Sequence, residues 1–88
     1  MVRRELEIEN ELGLHARAAA KFVRCAGGFE SQLTIVRGDM SVDGKSIMGV
    51  LLLAAPKGTV LEIIAEGTDE EAAIVAVAEL VKAKFGED

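Results

Sequence analysis

Apolar residues recur along this chain with two different spacings, and each switch of spacing marks a new element. Over residues 2–8 they alternate, with Leu6 and Ile8 on one side and Glu5 and Glu7 on the other, the period of a half-buried strand. After a polar turn at residues 10–13 the period lengthens. Ala19, Phe22, Val23 and Ala26 fall at i, i+3, i+4 and i+7, one stripe of a helix that begins at His15 or Ala16. Gly27 and Gly28 should stop it, because glycine takes the left-handed conformation of a C-terminal cap without penalty. "SQLTIV" (31–36) and "MSVD" (40–43) read as two short hairpin strands, with Gly38 in the turn. Arg37-Gly38-Asp39 is accordingly read as a turn, not as an adhesion tripeptide.

Gly44 closes the hairpin, and "SIMGVLLLAA" is then apolar on nearly every side. Ser46 suits the N-cap of a short helix over residues 47–53, ended by Pro56 and Gly58. So short a helix cannot turn Ile47, Met48, Leu51 and Leu52 all inward, whereas Leu53 belongs to the core. Residues 59–67 alternate again, with Leu61, Ile63 and Ala65 inward and Glu62 and Glu66 outward. In "TDEEAAIVAVAELVKAKFG", Thr68 and Glu71 have capping-box spacing, Ile74, Val77, Ala78, Val81 and Phe85 make the buried stripe, and Gly86 is the expected cap. The predicted order is β-α-β-β-α-β-α. It describes one α+β domain over residues 1–88, with the helices on one face of a mainly antiparallel sheet.

Composition narrows the function. The 88 residues include 10 Lys and Arg against 15 Asp and Glu, a formal charge of −5. That balance argues against nucleic-acid binding, which needs a basic face, and the only aromatics are three Phe, too few for base-stacking platforms. One cysteine, Cys25, and one histidine, His15, offer neither a disulfide framework nor a zinc ligand set, so no cofactor is expected. Cys25 itself is expected to be a small, partly buried helix residue without a redox role. The N-terminus lacks an apolar signal core and no 18-residue apolar run occurs, which points to a cytoplasmic protein without membrane insertion; a monomer is expected.

His15 holds the candidate chemistry. A helix starting beside it leaves the amides of residues 16–18 unpaired, a site suited to phosphate oxygens. Arg17 adds a permanent cation with forked donors. The same positive field disfavours imidazolium and leaves a neutral, nucleophilic ring. No triad, metal set or nucleotide loop accompanies it, so a group accepted here would be passed on rather than hydrolysed. A lone histidine at a turn is also commonly a plain surface residue, and position alone does not decide between the two. Arg17, Lys21 and Arg24 follow at i, i+4 and i+7, a basic stripe that is either a solvated face or a dock for acidic partners. Ser46, read alone, is a helix cap.

"GLHARAAAKFV" together with "DGKSIMGVLLLA" resembles the histidine-containing phosphocarrier family, HPr, of the phosphoenolpyruvate-dependent sugar phosphotransferase system. The similarity spans the chain, and the two motifs at this separation are far more specific than either alone. The resemblance implies an open-faced β-sandwich, four strands with three helices on one side. It implies His15 as phosphoryl acceptor, Arg17 as phosphate stabiliser, Enzyme I as donor and EIIA domains as recipients. It further implies a docking surface of Ala20, Arg24, Ile47, Met48 and Leu51, and Ser46 as a target of HPr kinase/phosphorylase. Two positions depart from the family pattern: Ala18 where proline is usual, and Gly27 where a basic residue is often found. The competing expectation is a regulatory binding module governed by phosphorylation of Ser46, with little transfer through His15.

Overall fold

Residues 1–87 are described in the computed structural model. The strands are β1 (Val2–Glu7), β2 (Gln32–Arg37), β3 (Met40–Asp43) and β4 (Val60–Glu66), hydrogen-bonded in the order β1-β4-β2-β3. Every pairing is antiparallel. The register sets Leu6 opposite Leu61, Leu33 opposite Ala65 and Ile35 opposite Ile63, so strand alternation delivers one continuous apolar face. The opposite face carries Arg3, Glu5 and Glu62 beside Thr34 and Ile64 and stays partly in water. The order β-α-β-β-α-β-α is the one expected, an open four-stranded sheet with three helices.

Helices α1 (Ala16–Gly27), α2 (Ile47–Leu52) and α3 (Glu70–Lys82) complete the core. α1 contributes Ala18, Ala19, Phe22 and Ala26, and α3 contributes Ala73, Ile74, Val77, Ala78 and Val81, all buried. The alanines let the helices approach closely, while Phe22 and Phe85 fill the larger spaces. α2 gives only Val50, followed by the buried Leu53 just past its last turn. Ile47, Met48, Leu51 and Leu52 remain exposed, because a helix of 6 residues has one narrow inward face. Arg37 has a structural role: its guanidinium donates to the carbonyls of Leu53 and Ala54 at 2.5 and 3.1 Å. It thereby ties the hairpin to the end of α2.

Three helix ends differ from expectation. Gly28 does not enter the left-handed region; its φ is −77°, because α1 closes by tight bonds from Gly28 N to Cys25 O and from Phe29 N to Ala26 O. The Thr68–Glu71 capping box does not form. Asp69 takes the N-cap position of α3, yet its carboxylate turns away to accept from Glu30 N, Ser31 N and Ser31 Oγ at 2.9, 2.9 and 2.5 Å. Ser31 is 1% exposed, and its buried donors have a stronger claim on the carboxylate than solvated helix amides have. Glu70 supplies the backward arm, accepting from Gly67 N at 3.0 Å. Finally, α3 ends at Lys82 with Ala83 as cap, and Gly86 instead belongs to a left-handed run in which Lys84, Phe85 and Gly86 have φ of 57°, 56° and 76°. Phe85, 1% exposed, anchors that run in the core.

Candidate functional site

The approach to His15 is built by the turn before it. Gly13 N donates to Asn10 O at 3.1 Å, and Leu14 N donates to Ala55 O at 2.8 Å. Gly13 has φ +68°, and a Cβ there would lie 2.6 Å from Ala55 O, so only glycine permits this crossing. The crossing directs the chain into α1 with His15 at the N-cap in extended conformation (φ −79°, ψ −178°). The first intrahelical bond runs from Ala19 N to His15 O at 2.8 Å. The amides of Ala16, Arg17 and Ala18 therefore precede the helical ladder, and the His15 side chain makes no cap bond to them.

The ring points elsewhere. His15 Nε2 lies 2.5 Å from Glu87 Oε2, with the two side chains 27% and 16% exposed. A carboxylate only accepts, so Nε2 carries the proton, and in the neutral ring the lone pair sits on Nδ1. Asn10, fully buried, holds the carboxylate in turn: its Nδ2 donates to Gly13 O at 2.7 Å and to Glu87 Oε1 at 3.0 Å. Both amide protons are thus used, and Asn10 Oδ1 is buried with no partner among the described residues. The hydrogen bond from His15 holds the Glu87 carboxyl below the usual carboxylate range, aided by Asn10 and by the charge of Lys21, against burial.

The sequence singled out His15 and Arg17 as candidates and did not point to Asn10 or Glu87, which the structure brings to the ring. No periodicity marks either one, and His15 and Glu87 are 72 positions apart. The positive field at the helix entrance thus has a counterpart the sequence did not reveal, an anion on the far side of the ring. The basic stripe is also not uniform. Arg17 and Arg24 are exposed, but Lys21 turns its ammonium to Phe85 O at 2.6 Å and pins the C-terminal turn. Arg17 and Lys21 line an open depression with Glu11, Leu12, Gly86 and Glu87, adjoining the imidazole through Glu87.

Ser46 is the N-cap of α2, its Oγ accepting from Gly49 N at 3.2 Å. Met48 is 69% exposed and Leu52 67%, with Ile47 and Leu51 also exposed. α2 packs directly on α1, so this apolar surface neighbours the helix bearing Ala20, half-buried, and Arg24. Ala18 is fully buried and continues α1, and a Cβ added at Gly27 would meet nothing within 4 Å. Cys25 is partly buried, and burial pushes its thiol up. Among the described residues no helix is long and apolar enough to cross a membrane.

Known proteins resemble this chain in sequence and fold along nearly its whole length. Residues 2–83 match the family model described as the PTS HPr component phosphorylation site. Phosphocarrier protein HPr of Neisseria meningitidis is 47% identical over 87 residues, covering 99% of this chain and 98% of the relative. The crystal structure of HPr-C-His from Thermoanaerobacter tengcongensis superposes with a TM-score of 0.97 at 45% identity, covering 100% and 99% of the two chains. An HPr dimer from the same organism gives 0.80 at 46% identity, covering 99% and 100%. By this agreement along its length, the chain belongs to the HPr family of phosphocarrier components of the phosphotransferase system.

Proposed function

We propose that this chain carries a phosphoryl group on His15, taking it from phosphorylated Enzyme I and giving it to EIIA domains during sugar uptake, without turnover of its own. One observation supports the reading most: a partly exposed imidazole, its Nε2 occupied by a carboxylate, stands at a helix entrance whose first amides have no partner among the described residues. The Nδ1 lone pair attacks phosphorus while the bond to the donor breaks and its electron pair returns to the donor. The dianion that results meets the Ala16, Arg17 and Ala18 amides and the Arg17 guanidinium. Docking uses Ala20, Arg24, Ile47, Met48 and Leu51, where apolar area and a cation lie on packed neighbouring helices. Regulation falls to Ser46, phosphorylated by HPr kinase/phosphorylase at the start of α2. The working unit is a cytoplasmic monomer, since one chain holds every group invoked.

Incubation with phosphoenolpyruvate and Enzyme I tests this. Wild type should gain one acid-labile phosphate, and His15→Ala should gain none while keeping its far-ultraviolet spectrum. Undiminished acid-labile labelling of His15→Ala would refute the assignment. An acid-stable phosphate, gained only with ATP and a kinase, would favour the regulatory module instead.

A further inference from the structure

We propose that Glu87 is a positioning residue for transfer at His15: its carboxylate keeps the ring proton on Nε2 throughout and balances the charge the ring acquires. This rests on the carrier reading above and deepens it. The contact is not an incidental touch of a loose chain end. Phe85 is buried, Lys21 Nζ donates to Phe85 O at 2.6 Å, and the left-handed run over residues 84–86 turns Glu87 back toward the helix entrance. Asn10 then fixes one carboxylate oxygen at 3.0 Å while the other receives Nε2–H at 2.5 Å. Three separated parts of the chain thus cooperate to aim one oxygen at one ring nitrogen.

The chemistry gives that oxygen a purpose. When Nδ1 bonds to phosphorus its lone pair enters the new bond, and no proton leaves. The ring becomes a cation with Nε2–H intact, and the donor nitrogen or oxygen recovers the pair from the bond that breaks. Glu87 faces this new positive charge at hydrogen-bond distance, on the side of the ring away from the phosphate. On discharge the pair returns to Nδ1 and the ring is neutral again, its proton still on Nε2. The carboxylate therefore selects the attacking nitrogen beforehand and opposes loss of the ring proton afterwards.

The test compares wild type, Glu87→Ala and Glu87→Gln as full-length 15N-labelled proteins. Histidine 15N shifts, read where the ring is neutral, report the tautomer without any partner present. Glu87→Ala should raise the Nδ1–H population and slow phosphorylation by Enzyme I about two- to fivefold, the effect of losing one ion pair that still meets solvent. Glu87→Gln keeps an acceptor without the charge, so it should retain more of the wild-type tautomer yet still be phosphorylated slowly. Unchanged 15N shifts in Glu87→Ala would overturn the proposal, because a mere fastening of the chain end would leave the tautomer alone. Faster phosphorylation of Glu87→Ala would overturn it as well, showing a carboxylate that obstructs phosphate. Should wild type itself take no label, the carrier reading fails, while the tautomer comparison still decides whether Glu87 governs the ring.

Discussion

A pair of substitutions at Ser46 separates capping from docking. The Ser46 hydroxyl accepts one bond, from Gly49 N at 3.2 Å, at the start of a helix of only 6 residues. Ser46→Ala removes it, a loss of about 1 kcal/mol, which in a domain of this size lowers Tm by about 4–8 °C. Ser46→Asp keeps an acceptor at the cap and places an anion at the positive end of α2, so its melting temperature should stay near wild type. The effect on transfer should be reversed. The new charge adjoins Ile47 and Met48, and a partner carboxylate about 8 Å away in water is repelled by about 0.5 kcal/mol, roughly twofold in association rate. A phosphate, with nearly twice the charge and a tightly held hydration shell beside apolar area, should cost more. Differential scanning calorimetry and the rate of phosphorylation by Enzyme I, measured on both variants, supply the four values needed. If Ser46→Asp is phosphorylated as fast as wild type, the surface beginning at Ser46 is not where Enzyme I docks.

Two further predictions concern the frame. The Asp69 carboxyl is held at about 2, against an ordinary 3.8, chiefly by its bond from Ser31 Oγ and then by Glu30 N. A depressed value means the contact contributes fully above the ordinary value and is lost as pH falls through about 2, so Tm should drop across about pH 4 to 2. Asp69→Asn should lower Tm at neutral pH and flatten that dependence, and an unchanged slope would show that other carboxylates cause the drop. Gly67 has φ +154°, and an added Cβ would lie 2.6 Å from both Ser31 Cα and Oγ. Gly67→Ala should therefore cost about 1–3 kcal/mol in urea denaturation, and a stability equal to wild type would contradict the close packing of this corner.

The fold was legible because its signals are periodic and local. Leu61, Ile63 and Ala65 alternate without a break, and Ala19, Phe22 and Ala26 keep helical spacing, so burial follows directly from pattern. Ends were less legible. Thr68 and Glu71 have the spacing of a capping box, yet Asp69 answers to Ser31, 38 residues away, and no local rule weighs a buried donor that distant. The site divides in the same way. His15 and Arg17 stand at one helix entrance and share a few residues of sequence. Glu87 arrives by a left-handed turn after α3, and Asn10 reads as an ordinary turn residue until its burial is known. Lys21 shows the converse error, a cation that completes a surface stripe in sequence but in three dimensions is committed to a carbonyl.

That committed lysine bears on how an acidic protein would attract the acidic partner proposed for it. At a formal −5, this chain as a whole should repel a negatively charged Enzyme I surface, and added salt would then speed their association. Local charge argues the opposite. Near the helix entrance the charge of Lys21 acts on Glu87 and Lys57 pairs with Glu11 at 2.6 Å, whereas Arg17 and Arg24 make no ion pair among the described residues. At 0.1 M salt the screening length is about 10 Å, so a docking partner senses the helix face and little of the distant acidic surface. Association with Enzyme I should therefore slow as salt rises, and Arg24→Glu should slow it further while reducing the salt dependence. Arg24 is exposed and outside the core stripe of α1, so the reversal should leave the fold in place. Stopped-flow association rates across a salt series decide the matter. A rate that climbs with salt, or that ignores Arg24→Glu, would mean that net charge governs the encounter and that this face of α1 is merely solvated.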